Sequence, residues 1–308
     1  MKEIRIFAPA TVANVACGFD VLGFCLDSVG DEMVVRQVAK KGIVITKSIG
    51  YDLPTEIENN VAGVAAQAFI NDFDPDLGIE IEIYKNIKPG SGVGSSAASA
   101  AGVVVALNEL LGKPYNKEQL TAFAMKGEAV ASNCEHADNI APAIYGGFTL
   151  VKSCKPVKIL EIPTPSNLFA VIIHPQIEIK TADSRAVLPQ EIPLSQAIEQ
   201  WANVGSLIHA LHTSDYGLIK ESLHDVVIET HRSKLIPHYD AVKKAALKAG
   251  ALGCSISGSG PSIFTLNKGK ATALHVEHAM RNVYKKTGIE FETYISPINQ
   301  NGIKVLNM

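Results

Sequence analysis

The sequence predicts an α+β protein built in two domains. Three observations carry that prediction. In the first half, Ile79, Ile81 and Ile83 alternate with Glu80, Glu82 and Tyr84, and this strand pattern runs into a glycine-rich loop and then a long stretch of small and apolar residues. In the second half the order reads strand, several helices, strand, strand, helix, strand, which fits an α+β sandwich on an antiparallel sheet. Between them Ile162-Pro163-Thr164-Pro165 interrupts both patterns as a domain boundary or a switch between layers would, which divides the chain into 1–162 and 163–308. The 308 residues, 47% hydrophobic and 19% charged, suffice for a large buried core.

In order along the chain, Ile4, Ile6 and Ala8 alternate with Glu3 and Arg5 in a first strand that Pro9 should end. The stretch 10–20 is small and apolar with a few polar anchors, and reads as a buried loop lining a site. Its Asp20 is an acid in apolar surroundings, either a site residue or a turn and helix-cap aspartate. Strands are expected near 32–38 and 43–48, then a helix from Val61 to about Asn71 capped by Asn59 or Asn60. After the strand at 78–84 and the glycine loop, a helix should run to about Leu111, with Ser95 or Ser96 as its cap and Gly112 and Pro114 beyond its end. Asn116 caps a further helix over 117–131, which carries Glu128. A β-pair follows at 148–152 and 157–161. In the second half, strands are expected at 169–173, 251–256, 262–266 and 290–297, helices at 194–212, 215–223, 237–249 and 270–286, and a helix or turn opening at Lys180.

Net charge is −3, so composition gives no sign of a nucleic-acid or anionic-membrane partner. There is no apolar run long enough for a bilayer and no signal-peptide pattern at Met1, which makes a cytoplasmic protein the expectation. The cysteines at 17, 25, 134, 154 and 254 form no Cys-x-x-Cys pair and read mostly as small buried residues. The pairs His209/His212 and His275/His278 have helical spacing but no third ligand nearby, and read as helix-surface histidines.

The chemistry concentrates at Pro89-Gly90-Ser91-Gly92-Val93-Gly94-Ser95-Ser96-Ala97. Glycines let backbone come close to a ligand, and free N–H groups with the helix dipole favour an anion at the helix start. A phosphate chain is the natural ligand, although a loop of this composition also occurs as plain flexible connection. No Gly-Lys-Ser/Thr follows, so it is not the common P-loop. Gly92-x-Gly94-x-x-Ala97 fits the loose dinucleotide fingerprint, but without the acidic residue about 20 positions on. A hydroxyl at a helix N-terminus beside phosphates is a natural Mg²⁺ ligand.

Three segments, in this order, resemble the GHMP kinases. They are Pro9-Ala10-Thr11-x-Ala13-Asn14-Val15-x-x-Gly18-Phe19-Asp20, the loop Gly92-Val93-Gly94-Ser95-Ser96-Ala97-Ala98, and Gly253-x-x-x-Ser257-Gly258-Ser259-Gly260-Pro261-Ser262. The resemblance covers nearly the whole chain. Val93 stands where the family loop usually has leucine, and Pro89 lies one position later than the family proline. Within the superfamily the chain is most similar to the homoserine kinases, through Asn14…Asp20, Glu128…His136-Ala137-Asp138-Asn139, Thr181-x-x-x-Arg185 and His231-Arg232-x-x-Leu235-Ile236-Pro237.

That resemblance implies a ribosomal-protein-S5-domain-2-like α/β ATP-binding domain over 1–162 and a ferredoxin-like GHMP domain over 163–308, assembled as a homodimer. It implies an ATP- and Mg²⁺-dependent transfer of phosphate to the side-chain hydroxyl of L-homoserine, a step of threonine biosynthesis. ATP would lie along Pro89, Gly90, Ser91, Gly92, Val93, Gly94, Ser95, Ser96 and Ala97, with Asn60 (beside Asn59 and Val61) near the adenine. Mg²⁺ would be held by Ser96 and Glu128. Arg185 and Arg232 would clamp the α-carboxylate, since guanidinium forks suit a carboxylate. Asp20 would take the α-ammonium, and Asn14, His136, Asn139 and Gly258 would complete the lining, with Asn139 nearest the reacting hydroxyl. The loop 257–260 would approach substrate or phosphates, or else serve as a tight turn between strands. Asp138 falls where some relatives carry a base, but the family resemblance implies an alcohol placed in line with the γ-phosphate without one. Phosphoryl transfer rests mostly on positioning and charge neutralisation, so Ser96, Glu128 and Asn139 are the expected catalytic set. Competing readings are a mevalonate-type kinase, a non-catalytic metabolite sensor of the same fold, and a nicotinamide dehydrogenase resting on the weak fingerprint alone.

Overall fold

The structure, a computed structural model, describes residues 2–132 and 136–306. Cys134, read above as a small buried residue, lies outside them.

The first half contains β1 (Glu3–Ala13), β2 (Leu22–Val38), β3 (Gly42–Ile49), α1 (Val61–Phe73), β4 (Gly78–Tyr84), α2 (Ser95–Leu110), α3 (Lys117–Ser132), α4 (Ile140–Tyr145), β5 (Phe148–Cys154) and β6 (Val157–Ile162). The second half contains β7 (Leu168–Pro175), α5 (Thr181–Ala186), α6 (Leu194–Thr213), α7 (Tyr216–Ser222), α8 (Glu229–Arg232), α9 (Tyr239–Lys248), β8 (Gly253–Ile256), β9 (Ile263–Lys268), α10 (Lys270–Tyr284), β10 (Phe291–Pro297) and β11 (Lys304–Leu306).

Two sheets result. The first runs β11-β1-β2-β4-β3, with β5 on the start of β2 and β6 on β5; β3 and β4 are parallel and the other pairs antiparallel. The second is antiparallel, in the order β10-β7-β9-β8. The chain end leaves the second sheet and returns to the first, where Val305 faces Ile6.

Period-two patterning explains the sheet faces. Ile79, Ile81 and Ile83 are fully buried against the helices, while Glu80 and Glu82 take Arg36 on the outer face. Side chains also set the helix starts. Asn60 accepts from the N–H groups of Ala62 and Gly63, and Asn116 and Gln119 cap each other reciprocally at α3. The strand predicted to end at Pro9 continues to Ala13. Its register shifts between Pro9 and Thr11, and a bulge of this kind accommodates a residue without an N–H. The predicted strand at 32–38 is the second half of a 17-residue strand. Neither Ser95 nor Ser96 caps α2. Gly94, left-handed at φ 67°, precedes it.

The 14–20 loop is held in an unusual conformation. Asn14, Val15, Ala16 and Asp20 have φ of 72°, 41°, 58° and 59°, a region that side chains disfavour and that persists only where neighbours fix it. On the second-half surface, Leu194, Ile198 and Trp201 form an exposed apolar stripe along α6. Among the described residues no helix is long and apolar enough to cross a membrane.

Candidate active site

The glycine loop, the start of α2, the 14–20 loop, α5, α8 and the second glycine loop line one cleft of about 340 Å³. The two glycine loops touch through their backbones. A side chain at Gly92 would bring its Cβ to 2.6 Å from the carbonyl oxygen of Gly260 and 2.8 Å from that of Ser257. At Gly94 the Cβ would fall 2.1 Å from Thr11 Oγ1 and 2.9 Å from Asn139 Oδ1. Glycine is therefore required at both positions by close approach as well as by positive φ.

At the first turn of α2, Ser96 Oγ donates to Glu128 Oε1 at 2.9 Å. Burial, aided by nearby Asp138 and opposed by the Ser96 hydrogen bond, pushes Glu128 up to about 7. A hydroxyl and a carboxylate meeting at a helix N-terminus are the hard oxygen donors that Mg²⁺ takes, and the Gly92–Ser96 backbone leaves the space a phosphate chain needs. The residues present fit both groups. No cluster of three or more His, Cys, Asp and Glu side chains suited to a metal occurs among the described residues, so a cation here would rest on Ser96, Glu128 and phosphate oxygens.

Sequence reasoning missed Lys85. It lies in the inward register of β4, two residues past Ile83, so the same alternation that predicts the strand aims it at the core. It is 3% exposed and forms an ion pair with Asp31. It also donates to the Ser95 carbonyl (2.6 Å) and Ser99 Oγ (3.0 Å). Burial lowers its pKa against the pull of Asp31. All three ammonium protons are engaged, so Lys85 braces the start of α2 from beneath.

Across the cleft, Arg185 Nη2 lies 2.9 Å from Asp20 Oδ1 and 2.9 Å from His136 Nε2. Guanidinium only donates, so His136 Nε2 accepts and the ring is neutral with its proton on Nδ1. Burial lowers the His136 pKa, as does Arg185, while Asp20 raises it. Arg232 is 3% exposed. It donates to the carbonyls of Ser184 (3.0 Å) and Gly258 (3.1 Å). Burial, with Arg185 nearby, depresses it to about 10. Both guanidinium groups face the ring of Phe19, at 5.6 Å for Arg185 and 4.9 Å for Arg232, which keeps two like charges close together. Asn14 is spent on backbone: its Oδ1 accepts from Asp20 N–H and its Nδ2 donates to the Gly258 carbonyl. Asn139 accepts from Thr11 Oγ1 at 2.9 Å and so sits between the two halves of the cleft.

Of the residues predicted for the site, Asn14, Asp20, Asn60, Pro89, Gly90, Gly92, Gly94, Ser95, Ser96, Glu128, His136, Asn139, Arg185, Arg232 and Gly258 all line the cleft. Val93 and Ala97 turn their side chains into the core, and Ser91 is buried without lining the cleft. The Val93 carbonyl accepts from Thr11 N–H. Asn60 uses its amide as a helix cap and on the Pro54 carbonyl. Leu53, Pro54 and Val61 form an apolar end of the cleft beside it.

The GHMP kinases N terminal domain family matches residues 59–147, and the GHMP kinases C terminal family matches 207–286. A homoserine kinase of Chlorobium phaeobacteroides is 45% identical over 99% of this chain and all of its own. The crystal structure of homoserine kinase from Cytophaga hutchinsonii has a TM-score of 0.95 at 48% identity, covering 99% of this chain and 98% of that one. The structure of L. major mevalonate kinase in complex with R-mevalonate shares the fold at a TM-score of 0.72 and 16% identity, covering 96% of each chain. With full-length identity at this level joined to the two matched domains, the chain belongs to the homoserine kinase family of the GHMP kinases.

Proposed function

We propose that the protein transfers the γ-phosphoryl group of ATP to the side-chain hydroxyl of L-homoserine, forming O-phospho-L-homoserine and ADP, as a step of threonine biosynthesis in the cytoplasm. The observation that carries this reading is the Asp20–Arg185 pair. A carboxylate and a guanidinium lie side by side in the cleft, facing a glycine loop at a helix N-terminus. That array of opposite charges matches the two charged ends of an amino acid. In the proposed complex the α-carboxylate takes Arg185 and Arg232, and the α-ammonium takes Asp20. His136 stays neutral and holds Arg185 in orientation. The side chain then extends toward Asn139, which orients the hydroxyl.

The ATP phosphates would run along Gly90–Ser96 with the adenine toward Pro54, Asn60 and Val61, which makes 1–162 the nucleotide-binding half and 163–308 the source of both arginines. Mg²⁺, held by Ser96 and Glu128, would neutralise charge on the phosphates. A new bond from the homoserine oxygen to phosphorus forms as the bond to the β-phosphate oxygen breaks, and the hydroxyl proton leaves to the transferred phosphoryl group and solvent. Lys85, with its protons committed, has no part in activating the hydroxyl. A homodimer is the proposed assembly.

A coupled ADP-release assay against homoserine, mevalonate, galactose and shikimate tests this. Turnover with homoserine well above the others is expected. Turnover with mevalonate or a sugar instead, or nucleotide binding with no turnover at all, would refute the reading.

A further inference from the structure

We infer that Gln200 and Asp225, which lie outside every recognised motif, are positioning residues that set the geometry of the acceptor pocket. Gln200 projects from α6, on the side away from the exposed stripe. Its side-chain amide joins three segments: Nε2 donates to the Cys17 carbonyl at 3.0 Å and to Asp225 Oδ1 at 2.9 Å, and Oε1 accepts from Val226 N–H at 3.0 Å. Asp225 is 5% exposed and forms no ion pair among the described residues. Its carboxylate instead accepts from the N–H groups of Val227, Ile228 and Glu229, each at 2.9 Å. A buried carboxylate satisfied in this way fixes the backbone around it.

The contacts close a ring. Gln200 holds Cys17, two residues before Phe19. Arg232 lies over Phe19. The chain from Arg232 runs back through α8 to Asp225, and Asp225 returns to Gln200. Two functional groups hang on this ring, Asp20 on the 14–20 arm and Arg232 on the α8 arm. The 14–20 arm is the left-handed stretch described above, which needs external anchors to keep its conformation. Asn14 supplies one such anchor, the Arg185–Asp20 pair a second and Gln200 a third. The amide of Gln200 therefore fixes the distance between the ammonium-binding and carboxylate-binding sides of the pocket, while the glycine loop is braced separately by Lys85.

This inference rests on the proposed reaction, and the test separates the two. Wild type and Gln200→Ala are compared for KM of homoserine and of ATP. Removing the partner of buried polar groups should raise the homoserine KM about 10- to 100-fold, with the ATP KM within about twofold. An unchanged homoserine KM, or equal rises in both, overturns the inference. Absence of homoserine turnover in the wild type refutes the reaction instead. A second variant serves if Gln200→Ala does not fold. Gln200→Glu, when protonated, keeps a donor toward Asp225; when ionised it faces the Asp225 carboxylate, with the Cys17 thiol and the Arg232 guanidinium as the other titratable or charged groups near Asp225. The homoserine KM of this variant, relative to wild type at each pH, should rise between pH 6 and 8. A flat ratio across that range also overturns the inference.

Discussion

At the level of single residues, the cleft separates carboxylates by role. Asp138 is pushed up to about 7, chiefly by burial and then by Asp20. A group whose folded pKa is raised binds a proton that the unfolded chain has already released. Asp138 therefore contributes stability at pH below about 4 that is lost as pH rises toward about 7. Asp138→Asn removes this titration, so its melting temperature should gain on that of the wild type as pH increases from 5 to 8. A constant difference would contradict the assignment. In turnover, Asp138→Asn should lose less than Arg185→Ala or Glu128→Gln. A loss of about four orders of magnitude in the Asn variant alone would make Asp138 the general base. Much of the cleft lining was legible in the sequence, because Ser96, Glu128, Arg185 and Arg232 stand in segments that resemble the homoserine kinases. Gln200, Asp225 and Lys85 were not read from it. An amide on an amphipathic helix, or a lysine at a strand end, gains its meaning only from the backbone carbonyls and acids the fold brings to it. For Lys85 one signal existed, its inward parity with Ile79, Ile81 and Ile83.

Among elements, the two glycine loops act as one unit. Ser257 Oγ donates to the Gly92 carbonyl at 2.7 Å, and the Gly258 carbonyl accepts from both Asn14 and Arg232. The first glycine loop thus leans on the loop that holds Asn14 and Arg232. Gly92→Ala forces these backbones apart, because the atoms its Cβ would meet are the backbone carbonyl oxygens of Gly260 and Ser257. Both ATP and homoserine should bind at least about tenfold more weakly, since a misplacement of about 1 Å can cost 10²-fold in rate. Titrating each ligand separately by calorimetry checks this, and a loss confined to ATP would show the loops to be independent. Element boundaries in the second half were readable from hydrophobic period, because α6, α9 and α10 are amphipathic and β7 is a continuous apolar run. The passage of β1 through Pro9 was not readable. The bulge that allows it depends on the register with β2, which is a non-local contact.

For the whole molecule, the halves meet along a seam as well as at the cleft. Ser296 Oγ on β10 accepts from the N–H groups of Asp27 and Ser28 at 2.7 and 3.1 Å, and donates to the Pro297 carbonyl. Leu26 bridges Ile298 next to it. Ser296 is fully buried, so Ser296→Ala strands two donors at a cost of about 1–3 kcal/mol. The melting temperature should fall by several degrees, with kcat unchanged because the seam lies outside the cleft lining. An unchanged melting point would mean the seam bears no part of the stability. The prolines at 163 and 165 suggested a division into 1–162 and 163–308, but the return of β11 to the first sheet had no signal in a strand of only three residues. Trp201 is the sole tryptophan, and it follows Gln200 directly while standing 58% exposed on α6. Its fluorescence offers a label-free test of the proposed pocket: if homoserine tightens the ring that Gln200 closes, the emission changes, whereas ATP alone should leave the spectrum nearly as it was.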